Sequence, residues 1–198
     1  MIAPAVPRPR GVIRPVSRLG EPRSGILARQ FVRLPPFLLA AVVLHTAVLP
    51  QLRPFQVGAD GLLLVAVCAG LVGGWRAGAW VGFGTGLLAD CFLATPFGLS
   101  ALANGLVGWA VGSLAGRLLR PGHWVLPATV FGASAGGVVL FAVLGALFGE
   151  DGLVTGRLLG VALLVGLLNA LLGPAALAAT RWAVGSPRRE APVLEGGR

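Results

Sequence analysis

Residues 77–117 read AGAWVGFGTGLLADCFLATPFGLSALANGLVGWAVGSLAGR, two apolar runs joined by one short turn. In the first run Gly78, Gly82, Gly86 and Asp90 recur every four residues. In the second, Asn104, Gly108, Gly112 and Gly116 do the same. Residues four apart share one face of a helix. Rows of small residues let two helix backbones approach closely, which is how helices associate in lipid. A short connection makes the two runs antiparallel, so the rows are expected to face each other. A helix-packing role is the simpler reading of these eight positions, and contact with a partner helix is the other.

Working outward, the whole chain is apolar. It is 56% hydrophobic and 12% charged, against about 25% charged for an ordinary soluble domain. Glycine supplies 31 of 198 residues, about twice its usual share. Six apolar segments follow one another at about 34–51, 60–75, 77–94, 97–117, 124–148 and 153–183. The pattern predicts an all-α polytopic membrane protein, a bundle of about six transmembrane helices over 34–183. The segment at 60–75 is the shortest, about 24 Å as a helix against a hydrocarbon core of about 30 Å. Gly173-Pro174 is expected to kink the last segment. Residues 1–33, rich in Arg and Pro, cannot bury a core, and residues 184–198 form a second tail; both are expected to be disordered. The first apolar run has no clean cleavage site after it and is expected to stay as an anchor.

The charges supply a topology. All 16 basic residues are Arg, and the net charge is +9. With six spans and the N-terminus inside, 14 of the 16 arginines fall on the cytoplasmic side, leaving Arg53 and Arg157 outside. Asp60, Glu150 and Asp151 then fall outside. Trp75, Trp80, Trp124 and Trp182 lie near the predicted span ends, as interfacial anchors do. The expected location is the bacterial inner membrane, with both termini cytoplasmic. A basic tail beside an apolar segment faces anionic lipid more simply than nucleic acid, so no nucleic acid is expected among the partners.

Few residues carry chemistry. Cys68 and Cys91 read as small buried hydrophobes, and with His45 and His123 they make no metal pattern. No catalytic constellation emerges around Ser24, Ser100, Ser113 or Ser134, and no cofactor is expected. Asp90 stands out. It lies about 20 Å along the third span, where a carboxylate needs a partner, a proton or water. The expected contacts are Asn104, the turn backbone, or both. Thr95, Pro96 and Gly98 form the outer turn, with Thr95 a favourable helix cap and Pro96 a favourable first helical residue. Asn169 is expected to make an interhelical hydrogen bond.

Residues 59–118 resemble the rod shape-determining protein MreD family. The family pattern opens a Leu-rich helix with an acid, matched by Asp60-Gly61-Leu62-Leu63-Leu64. It closes a Gly-rich helix with Gly-Leu-x-x-Asp, matched by Gly86-Leu87-Leu88-Ala89-Asp90. A Pro-x-Gly-Leu turn follows, matched by Pro96-Phe97-Gly98-Leu99. Two departures are the long Arg/Pro-rich N-tail and an Ala before Asp60 where the family often has Pro. The resemblance implies a non-enzymatic scaffold that works with an MreC-like membrane protein, elongation peptidoglycan synthases and, indirectly, the actin-like MreB. The implied task is to organise lateral wall synthesis and cell shape.

The main alternative is a substrate-binding membrane subunit of an energy-coupling-factor type transporter. Such a subunit shows an Ala-x-x-x-Ala docking face on its first helix, and the segment at 34–51 has none. A third class, a membrane enzyme acting on lipid-linked substrates, needs clustered carboxylates, His or Arg at an interface. Asp90 alone does not supply that.

Overall fold

The computed structural model describes Arg33 and residues 35–45, 58–92, 96–118 and 124–184. Residues 1–32 and 185–198 of the two tails, residues 46–51 of the first apolar segment, Arg53 and Thr95 lie outside the described residues, and Val184, expected in the second tail, belongs to the last helix. Five helices form: α1 (35–43), α2 (Gly61–Asp90), α3 (Leu99–Leu118), α4 (Val125–Leu147) and α5 (Leu158–Val184), with one 3-10 turn at Asp151–Leu153. There is no strand among the described residues.

Where the sequence suggests six apolar helices, five elements are seen, because two predicted segments are joined into α2. The join is at Gly74, whose φ of 74° and ψ of −171° interrupt the helix. Only glycine adopts that conformation without cost. The chain reverses there. A Cβ built on Gly78 would lie 2.8 Å from the Cα of Gly70. In a continuous helix, eight residues are separated by about 12 Å. α2 is therefore two arms, 61–73 and 75–90, folded against each other.

The first arm is the axis of the molecule. Every residue from Leu62 to Leu71 is buried. A helix apolar on all sides belongs where neighbours surround it. One side packs Leu63, Leu64, Val67, Cys68 and Leu71 against Val107 and Val111 of α3, Val130 of α4 and Leu177 of α5. Another packs Val65 and Ala69 with Val81 of the second arm, under Phe37, Leu38 and Ala41 of α1. Its 13 residues give about 20 Å, short of a hydrocarbon core of about 30 Å.

The outer surface is the reverse of a soluble protein's. On α5, Leu159, Leu163, Leu167 and Leu171 recur every four residues and are all exposed, Leu171 by 78%. The opposite face buries Ala162, Val165, Asn169, Gly173, Leu177 and Thr180. Exposed apolar faces this extensive mark a surface made to be covered. Val125–Leu147 and Leu158–Val184 are each long and apolar enough to cross a membrane, with mean hydropathy of 2.1, and Gly61–Asp90, at 1.7, divides its apolar length between the two arms. The chain is thus an all-helical protein suited to contact with a lipid bilayer.

Some boundaries differ from the sequence reading. α2 ends at Asp90, α3 starts at Leu99, and α5 starts at Leu158 after the 3-10 turn. α5 continues as one helix through Pro174. Cys68 is buried as expected, but Cys91 is exposed at the end of α2, its thiol donating to the carbonyl of Leu87 at 3.4 Å.

Candidate functional site

The second arm of α2 and the helix α3 run antiparallel with their glycine rows in register. Each step of four down one row meets a step of four up the other. A Cβ on Gly86 would fall on the carbonyl oxygen of Ser100 and the Cα of Ala101. One on Gly82 would fall on the carbonyl oxygen of Asn104, and one on Gly78 on that of Gly108. A Cβ on Gly112 would lie 2.5 Å from the carbonyl carbon of Gly74 and the backbone nitrogen of Trp75. The first arm joins the seam through Gly70, where a Cβ would lie 2.6 Å from the Gly108 carbonyl oxygen. Three helical segments thus meet at Gly70, Gly78 and Gly108 with no room for a side chain. Gly116 lies in the last turn of α3, past the Gly112 end of this seam.

Asp90 closes the end of the seam opposite Gly112. It is 4% exposed, and its carboxylate accepts three backbone hydrogen bonds. Oδ2 takes the N–H groups of Gly98 at 2.9 Å and Ala101 at 3.2 Å, and Oδ1 takes that of Ser100 at 2.9 Å. The first N–H groups of a helix have no partner inside the helix, and a carboxylate there is also favoured by the helix dipole. The accounting for α3 is complete. Leu99 donates to Pro96, Leu102 donates to Gly98, and Asp90 satisfies the two residues between them. Asp90 therefore caps a helix other than its own.

One expectation is corrected by this geometry, and another is narrowed to the backbone alternative for Asp90. The cap of α3 comes from Asp90, and Pro96 precedes the helix, which begins three residues later. Asn104 is not the partner of Asp90. It is buried one step deeper along α3, where its backbone carbonyl faces Gly82. A carboxylate at the end of α2 reaches the first turn of α3 before it can reach Asn104. Beside the cap, the hydroxyl of Ser100 is buried without a hydrogen-bond partner.

A second polar contact ties the opposite side of the bundle. Asn169 is fully buried, and its Nδ2 donates to the Asp60 carbonyl at 3.1 Å and to the Ser134 hydroxyl at 3.0 Å. Asp60 in turn caps α2, its side chain accepting the Leu63 N–H at 3.0 Å. Asn169 and Ser134 lie near the middle of α5 and α4. Asp60 is therefore level with the middle of those helices and not in an outer loop. Non-helical backbone at such a depth is tolerated when protein groups satisfy it, and Asn169 does so here. Ser134 was singled out in the sequence only as a nucleophile without a base. Its signal as a packing residue is its place in the run Gly132-Ala133-Ser134-Ala135-Gly136.

The chain matches no protein-family model, no curated protein and no solved structure. What the site can do is then read from its own geometry. The glycine seam and the two polar clamps hold helices at fixed separation. A lateral groove of about 300 Å³ opens between α3 and α4, lined by Leu106, Val107, Trp109, Gly132, Gly136 and Leu140. These residues offer packing surface, and the indole N–H of Trp109 is the one side-chain hydrogen-bond donor among them.

Proposed function

We propose that this chain is a non-enzymatic integral membrane scaffold of the cell-elongation machinery, similar to MreD. In this reading it crosses the bacterial inner membrane six times with both termini in the cytoplasm, and each arm of α2 counts as one passage. It binds an MreC-like membrane protein and, with it, the peptidoglycan synthases of lateral wall growth, with MreB engaged indirectly.

One observation carries the reading. The residues of the MreD-like pattern all serve one packed unit. Asp60 starts the central arm, Gly86 lies in the seam, Asp90 caps α3, and Gly98 supplies both a positive φ and one of the N–H groups bound by Asp90. A pattern whose members brace helices at fixed spacing suits a protein that works through its surfaces. The charge layout supports the proposed orientation. Arg33, Arg76, Arg117 and Arg181 occupy positions at the end of the bundle where the two arms of α2 join. Glu150 and Asp151 lie at the other end, after α4. A positive cytoplasmic end is the usual arrangement.

Depletion of the protein in its native cells tests the reading. Loss of elongated growth, with wall synthesis no longer confined to the lateral wall, is the expected result. Unchanged shape together with loss of uptake of a small nutrient would favour the transporter subunit instead.

A further inference from the structure

α3 and α4 together carry a projection and a hollow at one depth. A Cβ on Gly137 would lie 3.3 Å from the Val107 side chain, and one on Gly145 would lie 3.5 Å from that of Leu99. The two helices therefore run antiparallel, and Trp109 stands level with Ala135. That sets it beside Gly136 and within one turn of Gly132. All three line the lateral groove of about 300 Å³. On the α3 wall Trp109 stands out, 49% exposed. On the α4 wall nothing lies within 4 Å of a Cβ at Gly132 or Gly136. Of the helical glycines with such open space among the described residues, only these two stand one turn apart.

Packing inside the chain explains neither wall. A glycine within a helix costs about 1 kcal/mol relative to alanine. Gly78, Gly82 and Gly108 have backbone where a Cβ would be, whereas Gly132 and Gly136 have room for alanine. Tryptophan favours the headgroup boundary, yet Trp109 is the eleventh of the 20 residues of α3. Its carbonyl accepts from the Ser113 hydroxyl at 2.8 Å, and its indole N–H has no acceptor among the described residues. Hydrocarbon supplies none, so an acyl chain in the groove would leave that donor unpaired. A helix surface bared by glycine offers carbonyls with a free lone pair.

From these observations we infer that α3 and α4 form the interface of a homodimer whose twofold axis lies along the membrane normal. Two copies inserted the same way hold each residue at equal depth. The twofold then sets Trp109 of one protomer against Gly132 and Gly136 of its partner, and the reverse contact forms with it. The indole N–H meets the carbonyls that the glycines uncover. The dimer rests on the reading in which α3 and α4 cross the bilayer, and is independent of which other proteins the chain binds.

The test is energy transfer between donor-labelled and acceptor-labelled full chains in phosphatidylcholine–phosphatidylglycerol vesicles, over a range of protein densities. Wild type and Gly84→Ile, a control at an open glycine outside the groove, are expected to associate equally. Trp109→Ala and Gly136→Ile are each expected to weaken association by about tenfold or more, through loss of an aromatic contact and through crowding. A mixture of the two variants keeps one of the two contacts, because the first retains the hollow and the second the indole. It is expected to associate more tightly than either variant with itself, a result that also shows both to be folded. Wild type that stays monomeric overturns the dimer, whether lipid or another protein fills the groove. So does undiminished association of either variant, or a mixture no tighter than the variants alone.

Discussion

Gly78 and Gly108 exclude each other's side chains: a Cβ on either would fall on the carbonyl oxygen of the other. The obstacle is backbone on both sides, so no rotamer change relieves it. Gly78→Val or Gly108→Val must push the second arm of α2 away from α3. Overpacking of this kind costs about 1–3 kcal/mol. Gly84→Ala, in the same arm but with open space at its Cβ, should be neutral or slightly stabilising. Thermal unfolding of the three variants in one detergent checks the contrast. Equal melting of Gly78→Val and wild type would mean that the seam does not hold the helices together.

Asp90 and Ser100 supply an opposed pair of predictions. Asp90→Ala removes the acceptor of three backbone N–H groups and should destabilise by about 2–4 kcal/mol. Asp90→Asn keeps one acceptor oxygen and should fall between. Ser100→Ala removes a buried hydroxyl that has no partner, so it should be neutral or stabilising. Amide hydrogen exchange at Ser100 and Ala101 should accelerate in Asp90→Ala alone. Unchanged protection there would show that the cap is not what orders the start of α3.

Gly74 isolates backbone strain from crowding. Nothing lies within 4 Å of where its Cβ would be, yet its φ is 74°. Gly74→Ala should therefore cost about 1–3 kcal/mol through the backbone alone. Gly73→Ala, whose Cβ would fall on Ala77, should lose stability by crowding instead. Melting temperatures check the loss. A crosslink between cysteines replacing Ala69 and Val81, which pack in one cluster across the two arms, in a background lacking Cys68 and Cys91 checks the reversal. A wild-type melt for Gly74→Ala, or the absence of that crosslink, would contradict the folded-back shape of α2.

Asn169 links three helical elements through one amide. Asn169→Leu should cost about 1–2 kcal/mol, because it leaves the Asp60 carbonyl one bond short and Ser134 without its donor. Ser134→Ala should cost less, since the Asp60 contact survives. A double-mutant cycle of the two residues reads their coupling directly, and zero coupling would remove this clamp from the account.

Much of this was legible in residues 59–118. The fourfold rows gave the facing of the second arm and α3, because close packing in lipid requires small residues at that spacing and little else. The depth of Asp90 marked it as a residue needing partners. Its actual partners were not legible, since capping another helix depends on where the chain returns after the turn. The central place of Leu62–Leu71 was hidden for a different reason. An apolar run surrounded by protein and one facing lipid have the same composition. The short length of that arm was the one available sign. Asp60 looked like a loop residue because its depth depends on the reversal at Gly74, which adjoining glycines signal only as flexibility. Ser134 shows a polar contact that neither spacing nor hydropathy reveals.

Affinity purification of the tagged full chain from native membranes, with bound proteins identified by mass spectrometry, is the most direct measurement. The scaffold account predicts recovery of an MreC-like membrane protein with elongation peptidoglycan synthases, and loss of both from Gly78→Val. Recovery of a pair of ATPases with a membrane coupling subunit, and no wall synthase, would contradict it.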